Sequence, residues 1–87
     1  MYNILWDTRT RKDLRHIDPV QRQRIIKKCH EILTHHPYMG RAMKGQYQGL
    51  YRLRVGDYRV IYNIQEQIVT VRIIKIGHRS AIYTDRE

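Results

Sequence analysis

The sequence predicts a small α+β fold in which an N-terminal strand and a three-stranded meander form a twisted, mainly antiparallel sheet, with two N-terminal helices packed on one face. Three patterns carry that prediction. Residues 2–7 and most of 49–76 alternate at the period of a strand, residues 19–34 repeat apolar side chains at three and four, and Gly56-Asp57 interrupts an alternating run as a two-residue turn.

The first strand covers residues 2–7, with Tyr2, Ile4 and Trp6 on one side and Asn3, Leu5 and Asp7 on the other. A basic helix follows from about Thr8 to His16, where Leu14 and then Ile17 are the apolar anchors. Asp18-Pro19 opens the second helix: Asp18 caps, Pro19 suits the first helical position and Gln21 completes a capping box. That helix runs to about Thr34. Its face of Ile25, Ile26, Cys29, Ile32 and Leu33 packs on the sheet, while Arg22, Arg24, Lys27, Lys28 and Glu31 face solvent. Cys29, the single cysteine, reads as a core residue and forms no internal disulfide.

Residues 35–48 carry Pro37, Gly40 and Gly45 without a sustained period and are expected to form a loop that crosses to the sheet. The meander occupies residues 49–55, 57–64 and 68–76, and the last strand, nearly all β-branched, is expected at the centre. Gly77 ends it, a short exit follows, and one domain is expected to span residues 1–87. If Gly56-Asp57 sets the register, Val55 faces Tyr58, Arg54 faces Arg59, Leu53 faces Val60 and Arg52 faces Ile61. Tyr58, Val60 and Tyr62 then face the helices with Val69, Val71 and Ile73, and Arg52, Arg54 and Arg59 share the open face. Like charges opposed across paired strands destabilise the pair, so such a cluster implies an anionic partner.

Composition agrees: among 87 residues, 17 Lys+Arg stand against 8 Asp+Glu, a net charge of +9. Such a surplus meets nucleic acid, an acidic protein or an anionic membrane. Membrane binding is the weakest fit, because no apolar run approaches the roughly 20 residues of a spanning helix. The N-terminal residues lack the pattern of a signal peptide, so a cytoplasmic protein is expected.

The acidic residues are scattered at turns and termini, and His35-His36 diverge in a loop, so no metal site and no cofactor is expected. No nucleophilic serine or cysteine motif and no phosphate-cradling glycine loop appears. What remains is cations, one histidine and several tyrosines, a set suited to RNA. RNA carries its own nucleophile, the 2′-hydroxyl, so a protein has only to align it, take its proton and stabilise charge on the phosphate. Arginine forks match phosphate oxygens. Tyr83 and His78 are the candidate bases; one arginine about 6 Å from a tyrosine, at an effective dielectric near 20, lowers its pKa by roughly two units.

The runs `GLYRLRVGDYRVIY` and `IGHRSAIY` resemble the RelE family of bacterial and archaeal toxins, within the wider RelE/ParE superfamily, and the element order is similar over nearly the whole chain. The resemblance implies a RelE-like fold and a type II toxin that enters the ribosomal A site. There it would cut mRNA by metal-independent attack of the 2′-hydroxyl, leaving a 2′,3′-cyclic phosphate and a 5′-hydroxyl. It implies a cognate RelB-like antitoxin in a hetero-oligomer, and contacts to mRNA and rRNA. It implies that Arg59 and Arg79 grip the scissile phosphate, that Tyr83 stacks on or deprotonates the nucleotide, and that Lys44 contacts the RNA backbone. Arg52 and Arg54 stand where the family carries lysines. An arginine at Arg54 does not readily give up a proton, so it implies charge stabilisation in place of general-acid catalysis. His78 is expected to contact the RNA and to be able to share the base role.

Plainer roles suit other residues. Arg9, Arg11, Lys12, Arg15, Arg22, Arg24, Lys27 and Lys28 read as a solvated face, and Tyr51, Tyr58 and Tyr62 as core. Tyr38 and Tyr47 belong to the loop, and Arg72 falls on the arginine face or covers apolar surface with its stem. Two other activities fit the same fold: a ParE-like DNA gyrase inhibitor, and an inactive protein that binds RNA or antitoxin.

Overall fold

The structure, a computed structural model, describes residues 1–81. Strand β1 (Asn3–Trp6) leads into helices α1 (Thr8–Arg15) and α2 (Pro19–Leu33). A short strand β2 (Arg41–Ala42) precedes β3 (Tyr51–Val55), β4 (Tyr58–Gln65) and β5 (Thr70–His78). The sheet is mixed and five-stranded, in the order β1-β5-β4-β3-β2, with β1 parallel to β5 and the other neighbours antiparallel. The two-helix, mainly antiparallel architecture and the central last strand agree with the sequence.

Each helix begins where a carboxylate meets its exposed amides. Asp7 accepts a hydrogen bond from the Arg9 amide at 2.9 Å, and Asp18 accepts one from the Gln21 amide at 3.2 Å. Helix α2 buries Ile25, Cys29 and Leu33 against Leu53, Val55, Val60, Tyr62, Val71, Ile73 and Ile76. Burial pushes the Cys29 thiol up to about 12, in keeping with a core residue. Helix α1 lies beside β5, where Asp13 accepts from the Ile76 amide at 3.0 Å, beyond the stretch that β1 pairs. Arg22 departs from its expected place in solvent: its guanidinium donates to the Leu14 and Ile17 carbonyls, both at 3.0 Å, and ties α2 to the link from α1.

The β3–β4 register is the one expected from the turn, pair for pair. Gly56 has φ +59°, which the first turn position of a Gly-X hairpin requires. Two expectations need correction. Residues 35–48 are not wholly a loop, because Arg41 and Ala42 pair with Arg52 and Tyr51 as an edge strand. The last strand runs from Thr70 through Gly77 to His78, not from residue 68 to 76: Glu66–Ile68 is a 3₁₀ turn, and Val69 takes φ +50°, ψ +51° and lies exposed instead of facing the helices. A left-handed residue leaves the strand's alternation, so its side chain no longer follows the sheet's parity.

Strand β5 also carries a bulge. Tyr62 pairs with Ile73 but Ile61 with Lys75, so Ile74 is the extra residue. From that point the parity of β5 is inverted: Ile76 and His78 face the helices, while Lys75 and Gly77 face the open side opposite Ile61 and Arg59.

Candidate functional site

The β3–β4 hairpin sets three arginines on the open face of the sheet, and the edge strand β2 adds a fourth. Arg54 lies opposite Arg59, and Arg52 lies opposite Arg41 of the edge strand. Together with Met39, Gly40 and Leu53 they line a groove of about 400 Å³. Gly77 pairs with Arg59 across the neighbouring strand and adds no side chain to the open face beside it. The Arg59 guanidinium donates to the Tyr58 carbonyl at 3.2 Å and reaches the Gly56 carbonyl at 3.4 Å, which holds it over the turn. Among the described residues, no carboxylate forms an ion pair with Arg54 or Arg59.

At the β1 end of the open face two arginines share one carboxylate. Arg72 donates to Asp7 at 2.6 Å, and Arg9 holds the other carboxylate oxygen at 2.9 Å. Hydrogen bonds from Arg9 first and Arg72 next hold the Asp7 carboxyl well below the usual carboxylate range. Arg72 is therefore a structural partner of the β1–α1 junction, consistent with its separation from the arginine cluster.

The other candidates fall into distinct places. Arg79 follows the end of β5, where its amide donates to the Asp57 carbonyl at 2.8 Å and its side chain lies 3.8 Å from the Asp57 carboxylate. Both partners are exposed, so the ion pair is weak and yields readily to a better anion. Lys44 is exposed at the start of the 3₁₀ turn Gly45–Tyr47, outside the groove lining. His78 is not brought to the groove. It faces Tyr58 on the helix side, rings 5.6 Å apart and edge-on, in a hollow of about 270 Å³ shared with Gln21, Arg24, Gly56 and Asp57. Its Nδ1 accepts the Ser80 amide at 3.1 Å, so the neutral ring keeps its proton on Nε2. Tyr83 lies outside the described residues.

Sequence reasoning missed Arg41 and Met39. A two-residue strand leaves no periodic trace, and only the pairing to β3 shows that Arg41 joins the cluster. The tyrosines behave as read: Tyr62 is fully buried, and Tyr51 and Tyr58 pack against the core. Among the described residues no three His, Cys, Asp or Glu side chains gather where they could share a metal ion. No helix among them is long and apolar enough to cross a membrane. Arginine forks held in this way are able to bind phosphate and to neutralise charge that builds on it.

The family model described as "ParE toxin of type II toxin-antitoxin system, parDE" matches residues 4–83. The chain belongs to the RelE/ParE family of type II toxins. Two toxins of Mycobacterium tuberculosis place this family member on its RelE side. It is 28% identical to Toxin RelG over 94% of this chain and 95% of that protein, and 36% identical to Toxin RelE over 70% of this chain and 68% of that one. The fold agrees with the toxin–antitoxin complex RelBE2 from the same organism at a TM-score of 0.85. That match has 26% identity and covers 90% of this chain and 98% of the other. The toxin fold thus recurs in a chain that was solved as a complex with its antitoxin.

Proposed function

We propose that this toxin is a ribosome-dependent mRNA endonuclease that cuts RNA through its own 2′-hydroxyl without a metal or cofactor. The observation that carries the reading is the convergence of Arg41, Arg52, Arg54 and Arg59 on one groove. The scissile phosphate lies between Arg54 and Arg59, whose forks neutralise the charge added as the 2′-oxygen attacks. Arg79 leaves its exposed contact with Asp57 to reach the same phosphate, and Arg52 holds the nucleotide. Lys44 extends the basic track along the RNA backbone.

Tyr83 orients or deprotonates the 2′-hydroxyl. His78 is the weaker candidate for that step, because in the Nε2–H form its accepting nitrogen is already occupied by Ser80. On the ribosome, the exposed cations of α1 and α2 meet rRNA phosphates. The toxin works in the cytoplasm as one domain, and a RelB-like antitoxin neutralises it in a hetero-oligomer by covering the arginine face or blocking entry to the A site.

The test is 5′-end mapping of a defined mRNA in a translating extract, with wild type beside Arg59→Ala, Arg79→Ala and Tyr83→Phe. Cuts within A-site codons that need translation and fall about 100-fold or more in Arg59→Ala support the reading. The absence of cuts by the wild type overturns it. The family model's description favours one second reading, inhibition of DNA gyrase as in ParE toxins. Gyrase supercoiling blocked by this toxin, with mRNA left intact, would establish that reading instead.

A further inference from the structure

We propose that residues 39–41 form a second nucleotide station in the groove. Arg41 with Arg52 binds the phosphate next to the scissile one, and Met39 stacks against a base. The inference rests on the RNA reading above and gives Arg41 and Met39, to which that reading assigns no contact of their own, a place on the RNA.

The geometry points to two stations. Arg54–Arg59 and Arg41–Arg52 are each directly opposed across neighbouring strands. Neighbouring strands lie about 4.8 Å apart, so each pair brackets a site of phosphate size. Arg52 and Arg54 are two residues apart on β3, a step of about 7 Å at a rise of about 3.4 Å per residue, and that step suits successive phosphates of an extended strand. An RNA strand that places one phosphate between the first pair is carried along β3 to the second.

Beyond Arg41 the wall is Met39, which lines the groove and is 59% exposed. A large apolar side chain left this exposed in a groove of arginines offers a surface that a base can cover. Its polarisable thioether suits the flat face of a base, which alternates with phosphate along the RNA. The adjacent Tyr38 is committed elsewhere, edge-on to Tyr51 with ring centroids 5.6 Å apart.

The wall is fixed in place from beneath the sheet. The buried Tyr62 hydroxyl donates to the Pro37 carbonyl at 2.8 Å and accepts from the Gly40 amide at 3.0 Å. Glycine is required at Gly40, because a Cβ there would stand 2.5 Å from the Tyr62 hydroxyl oxygen and 2.7 Å from the Arg52 carbonyl oxygen. The segment can thus lie against β3 at Arg52 itself, with Met39 and Arg41 on either side of the contact. Tyr62 is a positioning residue for this wall. A wall held before the ligand arrives loses little entropy on binding it.

The experiment measures fluorescence anisotropy of two labelled oligonucleotides on the full chain across a salt series. One is a dinucleoside monophosphate and the other a trinucleoside diphosphate, each with a 2′-deoxy sugar at the cleavage position. Arg41→Ala should weaken the two-phosphate oligonucleotide about tenfold and reduce its salt slope by about 0.7. The one-phosphate oligonucleotide should be unaffected, while Arg59→Ala weakens both and Arg41→Lys restores most of the loss. Met39→Ala should weaken the trinucleotide about fivefold and have no effect on a version abasic at the residue beyond the second phosphate. Both wall variants binding like wild type, equal losses with the two lengths, or no binding of either by wild type would overturn the inference. Cleavage by the same preparation separates the two claims. A wild type that cuts mRNA while the wall variants bind normally removes the second station alone. A wild type that shows the length-dependent pattern but cuts nothing removes the nuclease reading and leaves the station.

Discussion

Replacing Tyr62 by Phe isolates the clasp that holds the groove wall. The ring remains, and with it the stacking on Tyr51 at 5.7 Å between centroids, so no cavity opens. What disappears is a donor to the Pro37 carbonyl and an acceptor for the Gly40 amide. A buried polar group left without a partner costs about 1–3 kcal/mol. Pro37 is buried and Gly40 only half-buried, so the two together cost about 2–4 kcal/mol, a large share of the roughly 5–15 kcal/mol that holds a small domain. Urea denaturation should show a lowered midpoint with an unchanged slope, because the surface exposed on unfolding is the same. Alkaline pH supplies a second readout. Burial pushes the Tyr62 phenol up to about 12, whereas in the unfolded chain it ionises near 10. The folded state thus holds this proton more tightly. The corresponding stability is complete below about pH 10 and is lost at about 1.4 kcal/mol per pH unit between roughly 10 and 12. The gap between wild type and the Phe variant should narrow over that window. A variant within about 0.5 kcal/mol of wild type at pH 7, with a constant gap up to pH 12, would refute the clasp.

Three further outcomes follow from local geometry. Gly56→Ala meets only ordinary contact with the Arg24 guanidinium at 3.7 Å, so its cost is the positive φ alone, about 1–2 kcal/mol in urea denaturation. Val69→Asn should gain about 0.5–1 kcal/mol by the same measurement, because the exposed valine holds φ +50°, a conformation that asparagine adopts at less cost. Asp7 has its folded pKa depressed, so its contribution is present above the ordinary carboxylate value of about 4 and is lost as pH falls below it. Asp7→Asn, which can still cap α1, should therefore lower the thermal midpoint near neutral pH and show a shallower fall in acid than wild type.

The hairpin was legible because two constraints agreed there. A glycine that must take positive φ fixed the turn, and strict alternation on both sides fixed every pair from Val55–Tyr58 to Arg52–Ile61. The α2 cap at Asp18 was readable for the same reason, since Asp-Pro at a helix start has one economical geometry. Elsewhere local pattern and tertiary structure parted. Ile68 and Val69 have high strand propensity, yet the chain reverses there through a 3₁₀ turn and a left-handed residue. Arg41 and Ala42 form a strand only because β3 offers its edge. The bulge left no mark at all: Ile73, Ile74 and Ile76 are equally apolar, so no change of parity shows in their sequence. Strict alternation from Ile73 would put His78 on the arginine face, and the extra residue at Ile74 turns it to the helix side.

That same bulge shapes the site. By inverting parity it sets Gly77, with no side chain, opposite Arg59 on the open face. The open face is then divided by charge. At the β1 end Asp7 binds Arg72 and Arg9, while at the β3 end Arg41, Arg52, Arg54 and Arg59 stand in two opposed pairs. Packing cannot account for the second arrangement, because opposed like charges work against the strand pairs that carry them. Burial of Leu53, Val60 and Tyr62 on the other face supplies the stability that makes such pairs tolerable. The apolar side of the hairpin thus sustains the charge on its polar side, and truncating Leu53 should loosen the groove as surely as truncating an arginine empties it.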